Sequence, residues 1–287
     1  MIKKSYCKAF SLVEISVTIL IFSFLLAIVQ YGVGFYQQSQ IVKARAHSKN
    51  APMNHMSNLV IWYETSLEDN FKEQNIADSQ DIEIWYNRAP NYWHQNNATQ
   101  SNIANRPIYK EKILNDMIPA LYYDGSDDFL NFDANLLINS DFSFIVVETR
   151  LRGDNHDYYI GGLGGANQNF CMGYSTPTTA RFGIYGSSTL DYAISNYSTP
   201  IARINSFTFS KKSGSKFWIN GGVQPKGSNS ITNYLSSYQG ARIGDTENAY
   251  FYQGYIAEMI VFNKALNDQE RQDIEKYLSN KFNVKLD

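Results

Sequence analysis

At 287 residues the chain is longer than a membrane anchor with a small module requires, so one sizeable globular domain is expected. Its formal net charge of −2 and the absence of a long basic run argue against an electrostatic nucleic-acid binder. Two cysteines are too few for a disulfide scaffold, so a core drawing on 21 Tyr, 17 Phe and 4 Trp has to hold the domain together.

In chain order, Lys8-Ala9-Phe10-Ser11-Leu12-Val13-Glu14 leads into an apolar run from Ile15 to Val29. Only Ser16, Thr18 and Ser23 interrupt that run, and small hydroxyls can bond back to their own helix. No charged side chain occurs from Ile15 to Val42. About 20 apolar residues at ~1.5 Å rise cross the hydrocarbon of a bilayer, so length and composition predict a membrane helix. Ala9, the small residue, precedes the apolar run, whereas a cleaved secretory signal places its small residue after it. Glu14 stands at the lip of the run, where an unpaired acid costs at least ~2.5–3.5 kcal/mol, so a partner for it is expected.

The segment Ala9-Phe10-Ser11-Leu12-Val13-Glu14 resembles the processing motif of type IV prepilins and pseudopilins, commonly Gly-Phe-Thr-Leu-x-Glu, with Ala9 in place of the glycine. The resemblance implies a leader over residues 1–9, cleavage between Ala9 and Phe10 by a prepilin peptidase, and N-methylation of Phe10. It also implies that the Glu14 carboxylate meets the new N-terminus of a neighbouring pilin subunit during assembly. Lys3, Lys4 and Lys8 precede the span, which keeps the leader cytoplasmic and sends the body across the inner membrane. Cys7 then leaves with the leader, and Cys171 stays as a single thiol.

A stalk helix over residues 10–50 would be roughly 60 Å long. Gly32 and Gly34 are points where it loosens, or ordinary glycines at a membrane exit. Pro52 marks a boundary, and residues 51–57 read as a linker. Leu59–Tyr63 reads as a strand, and residues 66–118 as a long irregular region with Trp85, Tyr86, Tyr92 and Trp93 as packing anchors. Strand-like segments recur at 120–123, 129–132, 142–149, 158–163, 170–174, 181–185, 206–210, 216–219, 241–244 and 254–262. Asn220-Gly221 after Phe217-Trp218-Ile219 signals a tight hairpin. Near the end, Asn267 and Glu270 form a capping-box pattern, and Ile274, Tyr277, Leu278 and Phe282 share one helical face. The fold class expected is mainly β: an antiparallel jelly-roll sandwich with a C-terminal helix, preceded by a long N-terminal pilin-type transmembrane helix.

Residues 58–287 carry a second resemblance. Leu59-Val-Ile-Trp62, Trp85, Arg106-Pro107, Tyr123-Asp-Gly-Ser-Asp-Asp-Phe129-Leu130 and Gly254-Tyr-Ile-Ala-Glu258-Met-Ile-Val-Phe-Asn263-Lys-Ala-Leu266 are together similar to the bacterial laminin-G-like, concanavalin A-like jelly roll. Glu270-Arg271, Tyr277-Leu278 and Lys281-Phe282 are similar to that family's closing helix. The segment after Trp85 departs from it, with Asn87 and Ala89-Pro90 where Asp and then Ser-Gly are common. The resemblance implies glycan binding, sometimes with calcium, and in some relatives β-glucan hydrolysis.

Hydrolysis requires two positioned carboxylates, and the nearest acidic strand, Glu148 to Asp154, has the wrong spacing, so no enzyme is expected. His47, His55, His94 and His156 are scattered without zinc-ligand spacing. Asp124, Asp127 and Asp128 offer oxygens to calcium, or simply build a turn around Gly125; no other cofactor is expected. Tyr250 and Tyr252, with Phe251 and Tyr255 beside them, are candidates for stacking on sugar rings or for the core. Gly161-Gly-Leu-Gly-Gly165 lacks the lysine of a phosphate loop and reads as a bend. The sequence therefore predicts a minor pilin or pilin-like surface protein with a lectin-like head that meets a glycan or cell surface. The alternatives are a type II secretion pseudopilin contacting cargo, or a membrane-tethered glycan hydrolase.

Overall fold

The first helix, α1 (Leu12–Lys49), starts at a reciprocal cap: Ser11 Oγ accepts the Glu14 N–H and the Glu14 carboxylate accepts the Ser11 N–H at 2.8 Å. The computed structural model describes residues 11–287 apart from 74, 116, 187–188, 195–199, 232 and 238. Ser16, Thr18 and Ser23 donate to the carbonyls of Val13, Glu14 and Ile19 at 2.7–2.9 Å, so their polarity is spent inside the helix. The helix runs unbroken through Gly32 and Gly34. It is long and apolar enough to cross a membrane, and none of its apolar window is buried by the rest of the chain. Only Ala44 and Ser48, near its far end, are buried.

Short strands follow: β1 (Leu59–Glu64), β2 (Ile84–Trp85), β3 (Ala98–Thr99), β4 (Ile108–Leu114), β5 (Ile118–Asp124) and β6 (Leu130–Phe132). The middle of the chain supplies β7 (Phe142–Arg150), β8 (Asp157–Gly162), β9 (Met172–Thr176), β10 (Thr179–Phe182) and β11 (Leu190–Ala193). Next come β12 (Ala202–Ser210), β13 (Gly214–Ile219), β14 (Gly227–Asn229), β15 (Ala241–Ile243), β16 (Asp245–Thr246), β17 (Tyr250–Phe251) and β18 (Gln253–Phe262). The chain closes with α2 (Asp268–Phe282), capped by Asn267 and Glu270 and ended by Asn283 at φ 55°.

One sheet has the order β14-β13-β12-β7-β18-β5-β4, and the other β11-β10-β9-β8-β15-β6-β3-β2. Neighbours far apart in sequence, such as β7 beside β18 and β8 beside β15, mean that the chain crosses repeatedly between the sheets, as in a jelly roll. The ten-residue β18 is the spine: β7 pairs along one side, while β5 takes residues 253–256 and β1 residues 258–262 on the other. Alternation along β7 sends Phe142, Phe144 and Val146 into the space between the sheets, where Phe142 and Phe144 meet Phe170 at 5.8 and 5.1 Å. Ile145 and Val147 face the other way and are covered by Ile274, Tyr277, Leu278 and Phe282 of α2.

Several expectations are corrected. Residues 66–118 are not irregular throughout but hold β2, β3 and β4. The pattern of β4 was obscured because Lys112 adopts φ 56° and shifts its register on β5 between Lys110 and Leu114. Its outer edge is closed by residues 79–81, with Tyr109 N–H donating to the Gln80 carbonyl at 2.8 Å. Asn220-Gly221 does adopt positive φ (55° and 76°), yet no two-residue hairpin forms, because β14 pairs with β13 from Phe217–Gly227 to Ser215–Asn229 and leaves residues 218–226 as the connection. The strand expected at 181–185 is β10 at Thr179–Phe182, and Trp93 is 44% exposed instead of packed.

Gly244 sits at φ 95° where an added Cβ would lie 2.3 Å from the Tyr123 ring and 2.9 Å from the Asp128 carbonyl. Gly244→Ala is therefore expected to destabilise the head by about 2–5 kcal/mol in denaturant unfolding of the detergent-solubilised chain. Gly165→Ala, with nothing within 4 Å of its Cβ, should move stability by no more than about 0.5 kcal/mol. Equal midpoints for the two variants would show that Tyr123 can step aside.

Candidate functional sites on the stalk and the head

Ala9 and Phe10 lie outside the described residues. Glu14 is exposed on the first turn of α1, bonded locally to Ser11 and, among the described residues, to no basic side chain. Around and beyond it Leu12, Leu20, Phe22, Phe24 and Phe35 are all more than 60% exposed. An apolar surface of this extent requires lipid or other helices to cover it.

The far end of α1 joins the head through a buried ionic cluster that the sequence analysis did not single out. Lys281 Nζ donates to Glu64 Oε2 (2.8 Å), Glu258 Oε2 (2.7 Å) and Ser48 Oγ (2.8 Å). Glu258 Oε1 also accepts the Trp62 indole N–H and the Tyr277 hydroxyl, both at 2.8 Å. Glu64 further accepts the Ser66 N–H and hydroxyl, the Leu67 N–H and the Asn70 amide. The cluster thereby links α1, β1, β18 and α2. Burial opposes ionisation of Glu64, but Lys281 and the surrounding donors outweigh it and hold its pKa down at about 2. At Glu258 burial prevails over Lys281 and the pKa is raised. Burial also opposes the charge on Lys281, yet the two carboxylates hold its pKa up. The sequence signal was a glutamate at the end of each of two apolar stretches, Leu59–Tyr63 and Gly254–Ala257: an acid inside a covered strand needs a buried partner.

On the head, Asp124, Asp127 and Asp128 are brought together at the turn from β5 to β6, with a carboxylate oxygen of each within 4.8 Å of the others. Asp124 Oδ1 accepts the Ser126 and Asp127 N–H groups (2.7 and 3.3 Å), and Asp128 Oδ2 accepts the Asp124 N–H (2.9 Å). Burial pushes the Asp128 pKa up to about 7, opposed by the Asp124 N–H and reinforced by the negative charges of Asp124 and Asp127. Three carboxylates are a donor set for a hard cation, and the same groups already serve the turn through backbone bonds.

The tyrosine candidates separate. Tyr250 is 36% exposed, with its ring 4.7 Å from His156. Tyr252 is fully buried and donates its hydroxyl to Glu148 at 2.5 Å, so it belongs to the core and offers no face to a ligand. Phe251 and Tyr255 are half-buried, and Tyr255 packs on Tyr122 at 5.4 Å. Glu148 is itself enclosed between the sheets, accepting the Tyr174 hydroxyl and the Asn205 amide as well. Gly161 and Gly162 close β8 where an added Cβ would strike Thr246 and the Gly240 carbonyl, so the first two glycines of the run serve close packing.

No protein-family model matches the chain, and no curated relative does either. Solved structures do resemble it in fold. Domain 4 of AbnA, a GH43 extracellular arabinanase from Geobacillus stearothermophilus, in complex with arabinotriose, superposes with a TM-score of 0.53 at 15% identity. The match covers 76% of this chain and 98% of that domain. The binding domain of Paraclostridial Mosquitocidal Protein 1 gives 0.51 at 13% identity, over 77% of this chain and 52% of the other. Trypanosoma rangeli sialidase in complex with sialic acid gives 0.50 at 13% identity, over 79% and 33%. The chain thus spans about a third of the sialidase and about half of the toxin domain. At such identities the likeness establishes the β-sandwich fold.

Lys281→Met leaves two buried acids without their cation and is expected to cost about 3–5 kcal/mol of head stability in denaturant unfolding. A depressed carboxylate pKa stabilises the fold above its unfolded value and loses that stabilisation as pH falls. The parent should therefore lose stability between pH 4.5 and about 2 through Glu64, and Glu64→Gln should flatten that limb. A parent and a Glu64→Gln variant with parallel acid limbs would remove Glu64 from the account.

Proposed function

We propose that this protein is a minor type IV pilin or pilin-like surface protein whose jelly-roll head serves adhesion or glycan binding. In this reading a prepilin peptidase cuts between Ala9 and Phe10, Phe10 is N-methylated, and the helix moves from the inner membrane into a filament. The observation that carries the proposal is the apolar part of α1, which the head leaves entirely uncovered and which has the single carboxylate Glu14 on its first turn. A bilayer covers such a surface in the precursor; packed helices of sister subunits cover it after assembly. Within that low-dielectric bundle the positive N-terminus of a neighbouring Phe10 is the natural partner of Glu14, because opposite charges attract strongly there and a lone carboxylate is disfavoured.

Support for a sugar-binding head comes from the fold. The arabinanase domain in complex with arabinotriose and the sialidase in complex with sialic acid share its sandwich architecture. The enclosed position of Glu148 argues against hydrolysis, since that carboxylate cannot reach a sugar in solution. A head of this size hinders close lateral packing of subunits, which favours a minor or tip position.

Glu14→Ala is expected to leave precursor levels in the membrane unchanged and to reduce the protein in sheared surface filaments at least tenfold, measured by quantitative immunoblotting. Undiminished incorporation would defeat the assembly role of Glu14.

A further inference from the structure

The bare part of α1 and the head meet at a sharp boundary. Ile15 to Gly34 makes about 30 Å of helix, which matches the hydrocarbon thickness of a bilayer. Tyr31 and Tyr36 are 84% and 56% exposed around the end of that stretch, and tyrosine favours the membrane–water boundary. Gln37, the next residue, is the first described residue of α1 to be half-buried by the head. With α1 across the bilayer, the base of the head therefore stands at the level of the lipid headgroups.

The turn from β4 to β5 meets α1 at that level, with a hollow on either flank. On one flank Glu111 and Lys112 lie with Arg45, which is already paired with Glu68, so no surplus of positive charge is left there. On the other flank is a pocket of about 230 Å³ in which Tyr36, Gln40 and Lys43 of α1 meet Asn115 of the turn and Asn280 and Asn283 at the end of α2. Among the described residues no carboxylate lines it. Lys43 is exposed and has neither a hydrogen-bond nor an ion-pair partner among the described residues. The Lys281 ammonium at the same pocket is committed to Glu64, Glu258 and Ser48. The side chains of Asn115 and Asn283 bond only to each other, at 3.4 Å, and those of Gln40 and Asn280 have no partner among the described residues. A free cation thus stands among four amides, each able to donate and to accept.

We propose that this pocket binds the headgroup of an anionic phospholipid, phosphatidylglycerol. The phosphodiester carries one negative charge, which Lys43 meets as a compact point charge on a long stem that can reach down to the headgroup layer. The glycerol hydroxyls donate and accept, and the four amides match them in both senses. A choline headgroup has no net charge and no hydroxyl, so it answers neither Lys43 nor the amides. Position selects a lipid over a free phosphate ester: Tyr36 lines the pocket next to the exposed Phe35, so a phosphodiester seated there has its acyl chains beside the apolar helix. The bound lipid fixes the head against the membrane in the precursor. The inference rests on the reading of α1 as a membrane helix.

The test uses the full chain in dodecyl maltoside with phosphatidylglycerol, phosphatidylcholine and soluble glycerol phosphate as probes, read by native mass spectrometry. Alkaline extraction of membranes that contain the parent chain is a separate arm. The expected result is saturable binding of one phosphatidylglycerol, about tenfold tighter than phosphatidylcholine, with no displacement by glycerol phosphate. Lys43→Glu should weaken phosphatidylglycerol binding by about tenfold, because reversal removes an attraction and adds a repulsion. Lys43→Arg should retain most of the binding, and Lys276→Glu, at an exposed position of α2 outside the pocket, should match the parent, all with unchanged unfolding midpoints. Full affinity in Lys43→Glu, or equal binding of phosphatidylcholine, overturns this site while leaving the membrane helix intact. Displacement by glycerol phosphate overturns the lipid and assigns the pocket to a soluble ester. Release of the parent by alkaline extraction overturns the membrane reading and this site with it.

Discussion

One lysine shared by two glutamates ties a long apolar helix to a β-sandwich. Lys281 comes from the closing helix, Glu64 and Glu258 from adjacent strands β1 and β18, and Ser48 from the last turns of the stalk. Ions removed from water lose several kcal/mol of solvation each, so the arrangement persists only because every oxygen has a donor and the ammonium has three acceptors. Loss of one member leaves the others stranded, which makes the junction cooperative. Arg45 reinforces it by donating to the Ser66 carbonyl at 2.9 Å and pairing with Glu68. A pull along α1 is thereby delivered to β18, the strand that pairs with β1, β5 and β7.

The two ends of the stalk helix obey opposite rules. At Ser48 its polarity is used to grip the head; between Leu12 and Phe35 its serine and threonine hydroxyls are bonded back into the helix and its apolar side chains face outward. A soluble protein buries such residues, and this head leaves them bare. The sandwich meanwhile keeps Glu148, Tyr174 and Tyr252 satisfied among themselves in its interior and places Trp93 and Tyr250 at its surface. In the proposed function, glycan binding and assembly therefore fall on different surfaces, joined by the buried cluster.

Much of this was legible in the sequence where local chemistry is strong. The apolar run, the Asn267–Glu270 cap and the long strands β7 and β18 have periodicity or capping patterns that tertiary context does not override. The short strands β2, β3, β11, β14, β16 and β17 are two to four residues long and form because neighbouring strands offer bonding edges, information that a local window lacks. The Asn220-Gly221 signal named the correct backbone conformation but the wrong loop length, since β13 and β14 first pair at Phe217–Gly227 and residues 218–226 lie between them. Among site residues, the aspartate cluster was visible from spacing alone. Tyr250 and Tyr252 were indistinguishable as letters: two positions apart they would share a face of one continuous strand, but Tyr252 lies at the break between β17 and β18, and one ring goes to the rim and the other to the core. The Lys281 cluster joins positions more than 200 residues apart, and only the fold brings them together.

The central claim is that α1 is an assembly helix exposed by processing, and the mass of the mature N-terminus tests it most directly. Intact-mass and N-terminal peptide measurement of protein recovered from the cell surface should give a chain that begins at Phe10 and carries one additional methyl group. A surface-recovered chain that still begins at Met1, or one cut after the apolar run, would contradict the account.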